Sequence, residues 1–407
     1  MPVRNWLFFL CFLFLSHLAL AQSYVPCWLA DGNRLSEEQL RPYLASMQKQ
    51  QAAPDHIVVL VHGYHTVREE SASQFEEVAA RLRSQFGKRQ EKLLVIGLQW
   101  ESAVAGAELP WEAEDAYLRM VSRARNVGHQ AGRQLLLRVQ KQYPKAHLNI
   151  LGHSLGCEVA AACLLPEMVY GDDLDKSAAF EPKQDLFFNL VGLCGSDLDY
   201  DVWYKSHITF RSKKARTRLL WMTISPYLGE RDRTLQVRKV SRGRAGGAAF
   251  PRMTEQQCDV VFKNRAIVFD NTEIPRDHAL LSYFSEERLE RLSTTMVYLS
   301  DSKAPKPVEL AEADQVLQLP ARVEVISPYL DSPLLTTQMY ALWRLEHMLC
   351  AGCKHLCDET MDQVALLLRN TPIRVRKERA DSACKVIQSG LWPTEQQLER
   401  AGAPSWE

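Results

Sequence analysis

Short unbroken apolar runs alternate along this chain with longer stretches whose apolar side chains recur every three or four positions. Residues 56–62 (HIVVLVH) and 93–98 (LLVIGL) are runs of this first kind and predict strands buried on both faces. Residues 147–151 (HLNIL), 186–193 (LFFNLVGL), 218–224 (RLLWMTI) and 266–269 (AIVF) predict four more. Between them, residues 73–86 place Phe75, Val78, Ala79, Leu82 and Phe86 at helical spacing. Residues 36–51 read as a capped polar helix, and 114–143 as one long amphipathic helix stopped by Pro144. Residues 155–165 predict a helix of small side chains, and 285–297 a last helix of the same unit. Strands alternating with helices predict an α/β fold, a mainly parallel sheet with helices on both faces.

The two ends of the chain depart from this pattern. Residues 1–21 carry one charge, Arg4, then an apolar run and the small-residue ending Ala19-Leu20-Ala21, the layout of a secretory leader. Cleavage near Ala21 predicts an exported, periplasmic or extracellular protein. Residues 22–300 form the α/β unit. Residues 301–335 hold Pro305, Pro307, Pro320, Pro328 and Pro333 and read as a linker. Residues 336–407 read as a helical, cysteine-bearing appendage, and no internal repeat is visible.

Charge narrows the function. Lys plus Arg is 49 and Asp plus Glu is 49, so no basic excess exists to neutralise nucleic-acid phosphates. The 46% apolar content supports a packed core and excludes a disordered chain. Of the ten cysteines, Cys11 lies in the leader, which leaves an odd number to the remainder. Cys157, Cys163 and Cys194 fall in apolar segments, as small buried hydrophobes do. Cys350, Cys353, Cys357 and Cys384 cluster in the appendage, where export favours disulfides. The run CAGCKH lacks the histidine directly after its second cysteine that haem attachment needs, since Lys354 stands there.

The chemistry sits at Gly152-His153-Ser154-Leu155-Gly156, between a predicted buried strand and a small-residue helix. A tight strand-to-helix turn lifts the serine hydroxyl above the sheet at the positive end of the helix. A serine hydroxyl needs a histidine to take its proton and an acid to orient that histidine. In such a site the acid and then the histidine follow the serine along the chain. His278 follows the last strand by a short loop and is the candidate base; His207, His347 and His355 fall elsewhere. Asp232, beyond 218–224, is the candidate acid. Asp197 and Asp199, after the preceding strand, are the alternatives. The oxyanion of a tetrahedral intermediate needs fixed N–H donors. The backbone of Leu155 offers one, and Tyr64 in the turn His62-Gly63-Tyr64 offers the second. His62 and His65 lie near that turn without acidic or sulfur ligands beside them, so no metal site is expected.

Five motifs recur in order: LVHGY at 60–64, GHSLG at 152–156, DLDYDVW at 197–203, RDRTL at 231–235 and DHALLSYF at 277–284. Together they resemble the alpha/beta-hydrolases, and within them a largely uncharacterised bacterial esterase/lipase-like family, over about residues 55–290. The resemblance implies Ser154 as nucleophile, Asp232 as acid and His278 as base, and it favours Asp232 over the Asp197–Asp201 cluster. Two departures stand out: SPYLGE precedes Asp232, and Asp277 stands where the family pattern has glycine.

Residues 238–252 (RKVSRGRAGGAAFPR) are basic and glycine-rich and read as a solvated loop. Leu109-Pro110-Trp111 lies where a lid or acyl pocket would, or packs in the core. The expectation is a serine esterase acting on a small-molecule ester or lipid-like substrate, with no cofactor, no metal and no nucleic-acid partner. A surface or protein partner is expected through the C-terminal region. Two rivals remain open: a weak or inactive hydrolase-fold binding protein, and an acyltransferase using the same triad.

Overall fold

The computed structural model describes residues 22–102, 110–164, 186–198, 217–223, 267–270 and 279–344, apart from 31, 65, 90, 302, 321, 335, 339, 342 and 343. The elements run β1 (Val25–Trp28), α1 (Glu37–Gln50), β2 (His56–Val61), α2 (Arg68–Gly87) and β3 (Leu93–Gln99). Then come α3 (Pro110–Val127), a π-helical turn (Gly128–Gly132), α4 (Arg133–Gln142), β4 (His147–His153) and α5 (Gly156–Leu164). β5 (Phe188–Cys194), β6 (Thr217–Thr223) and β7 (Ile267–Asp270) complete the sheet. α6 (Leu280–Tyr283), α7 (Glu286–Ser300), α8 (Val308–Gln318), α9 (Val323–Ile326) and a 3-10 turn (Ser327–Asp331) follow.

The seven strands form one sheet in the order β1-β3-β2-β4-β5-β6-β7, every neighbouring pair parallel. Alternate residues of each strand serve opposite layers. Ile57, Val59 and Val61 face the layer holding Tyr117, Val127, Leu136 and Val159 of α3, α4 and α5. Val58 and Leu60 face the layer holding Phe75, Val78 and Leu82 of α2 and Leu289 and Leu292 of α7. This double burial is why the strands read as continuous apolar runs rather than alternating ones.

Strand order reverses at β2, which has β3 on one side and β4 on the other. Such a switch point opens a crevice beyond the carboxyl ends of the strands. Here Val61 of β2 pairs with Gly152 of β4, so the turns leaving these two strands emerge side by side.

Three differences from the sequence reading have physical causes. β1 is absent from the sequence reading; it is a four-residue strand with Pro26 inside it, and among the described residues it pairs only with β3, at the edge of the sheet. The single helix expected over 114–143 is divided by the π-helical turn, where Gly128 and Gly132 lie against α5. In 301–335, expected as a linker, α8 buries Leu310 in one layer and Ala313 and Val316 in the other, where Ile326 and Leu330 join them. Pro307 stands at the N-cap of α8 and so starts a helix rather than interrupting one. The polar helix over 36–51 is α1, where Ser36 and Gln39 cap each other reciprocally.

Residues 1–21 and 345–407 lie outside the described residues. So do the leader and the cysteines Cys350, Cys353, Cys357 and Cys384. The described cysteines Cys27, Cys157, Cys163 and Cys194 are free thiols, all buried. Among the described residues no helix is long and apolar enough to cross a membrane.

Candidate active site

β4 ends in His153, and the chain turns at Ser154 into α5. Ser154 has φ +52°, a left-handed conformation that a side chain bearing a Cβ rarely adopts. Three backbone hydrogen bonds hold it there. Its N–H donates to the Cys194 carbonyl at 2.9 Å, and its carbonyl accepts from Cys157 N–H at 3.0 Å and Asp197 N–H at 3.2 Å. The strain thus sits at one residue that is tied to β5 on one side and to α5 on the other. The hydroxyl has no hydrogen-bond partner among the described residues, and Ser154 is 6% exposed.

Two glycines let the turns approach. A Cβ on Gly156 would lie 2.5 Å from the carbonyl oxygens of both Val61 and His62, so α5 starts in direct backbone contact with the end of β2. A Cβ on Gly63 would lie 2.8 Å from Ser154 Cβ. The glycines of GHSLG and of HGY therefore serve one close approach, of the Ser154 turn to the turn after β2.

The residues expected around Ser154 fall as follows. Leu155 is fully buried, and its backbone N–H has no acceptor among the described residues. It sits at the start of α5, where unsatisfied N–H groups and the helix dipole favour negative charge. Tyr64 lies in the turn after β2, its ring edge-on to Tyr117 of α3 at 5.3 Å. Burial raises the pKa of its phenol, which keeps it protonated. Asp197, the alternative acid, is fully buried, and its backbone N–H holds the Ser154 carbonyl. Asp199, Asp232 and His278 lie outside the described residues, as do His65, the 238–252 loop and Leu109. The strands that precede them are in place: β6 leads toward Asp232 and β7 toward His278.

α6, which begins just after His278, reaches the turn at His153 and Ser154. Tyr283 lies 5.1 Å from the His153 ring, centroid to centroid. A Cβ on Gly195 would meet the same tyrosine ring at 2.6 Å. The chain following His278 is thus anchored beside the residue that precedes Ser154.

His62 has a structural role at the end of β2. Its Nε2 accepts from the backbone N–H of Trp100 at 3.1 Å, and its Nδ1 donates to the Gly63 carbonyl at 3.0 Å. Because the Trp100 N–H can only donate, Nε2 carries the lone pair and the ring is neutral. Burial pushes its pKa down to about 4, which keeps it so. Among the described residues no group of three or more His, Cys, Asp or Glu is arranged to hold a metal.

The nearby thiols are not competing nucleophiles. Burial pushes the Cys157 thiol well up and the Cys163 thiol to about 12. Such sulfurs stay protonated and inert.

Sequence reasoning missed Trp100, Ser102 and Tyr117. Each acts through a contact distant in the chain, and none stands in a recurring spacing. Tyr283 stands in the motif DHALLSYF, but its contact with His153 is visible only in the fold.

The chain belongs to a family of alpha/beta hydrolases. Its residues 37–286 match the family described as alpha/beta hydrolase of unknown function (DUF900). Comparisons with curated proteins and with solved structures return no match.

Proposed function

We propose that this protein is an exported serine hydrolase that cleaves a carboxylic ester through an acyl-serine intermediate. The observation that carries the reading is Ser154 itself. It is a serine held at positive φ between a buried strand and a helix, facing the turn after β2. Evolution retains such strain where it serves a site.

In the first half-reaction His278 takes the Ser154 proton while Oγ attacks the ester carbonyl. The carbonyl π electrons move to oxygen, and the Leu155 and Tyr64 N–H groups receive the oxyanion. The intermediate collapses, the C–O bond breaks, and His278 returns the proton to the leaving alcohol. Water, deprotonated by the same histidine, then attacks the acyl-serine; the acyl C–Oγ bond breaks, His278 returns the proton to Ser154 Oγ, and the acid leaves. Asp232 orients His278 and stabilises its imidazolium. The leader sequence supports export, and the anchoring of Tyr283 beside His153 supports the approach of His278 to Ser154.

Asp197 is a second candidate acid, because its backbone is bonded to the Ser154 turn and its side chain is buried there. Comparing Asp232→Asn with Asp197→Asn separates the two: the true acid loses about 10⁴-fold in kcat.

The test is labelling of the mature protein by a fluorophosphonate, together with hydrolysis of p-nitrophenyl esters of graded chain length. Wild type labels and turns over; Ser154→Ala does neither. A folded wild type that takes no label and cleaves no ester of the series sinks the reading and leaves a hydrolase-derived binding protein. Capture of the acyl group by an added alcohol in preference to water identifies an acyltransferase instead.

A further inference from the structure

The turn after β2 has to present an N–H to an oxyanion, and a glycine-bearing loop cannot hold that position by its own backbone preferences. The structure supplies the rigidity from the neighbouring strand. The chain leaving β3 touches the turn at both ends. At the near end, Trp100 makes a two-point grip on His62: its backbone N–H donates to Nε2 at 3.1 Å and its indole Nε1–H donates to the His62 carbonyl at 3.2 Å. The two rings stack at 5.7 Å with planes 11° apart. His62 passes the constraint on by donating from Nδ1 to the Gly63 carbonyl at 3.0 Å. At the far end, the Ser102 hydroxyl accepts from Thr66 N–H at 3.1 Å and donates to the Thr66 carbonyl at 3.1 Å. His62, Trp100 and Ser102 are all fully buried.

We infer that His62, Trp100 and Ser102 form a clamp that positions the loop 62–66 so that its Tyr64 N–H faces the oxyanion, a role that rests on the esterase reading above. None of the three touches substrate; they are positioning residues. Trp100 and Ser102 bracket the loop from one strand exit, so Tyr64 is held between two fixed ends. The two Trp100–His62 hydrogen bonds join buried groups and the Ser102–Thr66 pair is partly buried; a satisfied network of this kind is rigid and a broken one leaves unpaired donors. Oxyanion donors act only when they are fixed before the charge develops, so a loosened loop lowers kcat rather than substrate binding.

The test uses the full mature chain and three variants. Trp100→Phe keeps an aromatic ring at the stack and deletes the indole N–H. Ser102→Ala deletes the hydroxyl, and Ser102→Thr puts one back. Two measurements are made: steady-state hydrolysis of p-nitrophenyl butyrate, normalised to fluorophosphonate-titrated sites, and amide hydrogen exchange of residues 62–66. Trp100→Phe and Ser102→Ala are expected to lower kcat about 10- to 100-fold with KM within about twofold. Amides 62–66 exchange at least about tenfold faster in both, and Ser102→Thr recovers much of each loss. A kcat within about twofold of wild type in folded Trp100→Phe, or a change confined to KM, overturns the inference. Should Ser102→Ala not fold, Trp100→Phe decides. The exchange measurement keeps the two readings apart. A wild type that takes no label fails the esterase reading, whereas unchanged 62–66 exchange in the variants fails the clamp whether or not the protein is active.

Discussion

Replacing Ser154 by glycine should remove the nucleophile and at the same time stabilise the protein relative to Ser154→Ala. The two variants lose the same hydroxyl, which has no hydrogen-bond partner among the described residues. They differ only in the Cβ. At φ +52° a residue with a Cβ carries a left-handed penalty of about 1–2 kcal/mol. Alanine keeps that penalty, and glycine escapes it. Against this, glycine has more backbone freedom to lose on folding, about 0.5–1 kcal/mol. The balance favours Ser154→Gly over Ser154→Ala by roughly 0.5–1 kcal/mol, or about 1–4 °C in Tm for a domain of this size. Urea unfolding at pH 7.5 and scanning calorimetry both resolve such a gap, and fluorophosphonate labelling checks that each variant is inert. If Ser154→Gly proves less stable than Ser154→Ala by about 1 kcal/mol or more, the turn is not held in a strained state and the reasoning fails.

Acid should weaken the fold between pH 6.5 and about 4. Burial lowers the pKa of both His56 and His62 to about 4, with the neighbouring His147 adding to the effect on His56. The unfolded chain therefore binds more protons across that window. Stability is complete above pH 6.5 and falls on acidification, by up to about 3 kcal/mol for each histidine; urea midpoints that stay flat from pH 7 to 4.5 would count against it. Gly156→Ala puts a Cβ 2.5 Å from two carbonyl oxygens that belong to backbone and cannot rotate away. It should cost about 3 kcal/mol and slow fluorophosphonate capture by parting the two turns, and a wild-type Tm with wild-type capture would disprove the close approach. Arg125→Met removes one partner of Glu158, whose carboxylate is fully buried on α5. Its partly exposed guanidinium lessens the effect, so a loss of about 2 kcal/mol is expected by calorimetry, and it should shrink in a Glu158→Gln background.

How much was legible in the sequence differs between elements for reasons of physics. β2, β3, β4 and β5 announced themselves because burial on both faces leaves no room for polar alternation. β1 carried no such signal: at an edge, with Pro26 and one neighbour, four residues suffice. In α8 the helical spacing of Leu310, Ala313 and Val316 was present in the sequence, but the surrounding prolines drew the reading toward a linker. The tight turn at Ser154 and Leu155 was legible because the strand–turn–helix context restricts which residues fit. Trp100 and Ser102 were not, because a residue that works by gripping a distant loop leaves no mark in its own local pattern.

By itself the sequence determined the alternation of buried strands and amphipathic helices, the tight strand-to-helix turn at 152–156, and the family those motifs belong to. These are local properties: backbone propensity, side-chain burial and the steric demands of a tight turn each act over a few residues. The tertiary structure alone decided the strand order β1-β3-β2-β4-β5-β6-β7, and with it the meeting of the turns after β2 and β4. It alone made His62 a neutral, buried grip point, because that state depends on a backbone N–H from the next strand and on the exclusion of water around the ring. Strand order and burial are settled by contacts between segments far apart in the chain, and no local pattern records them.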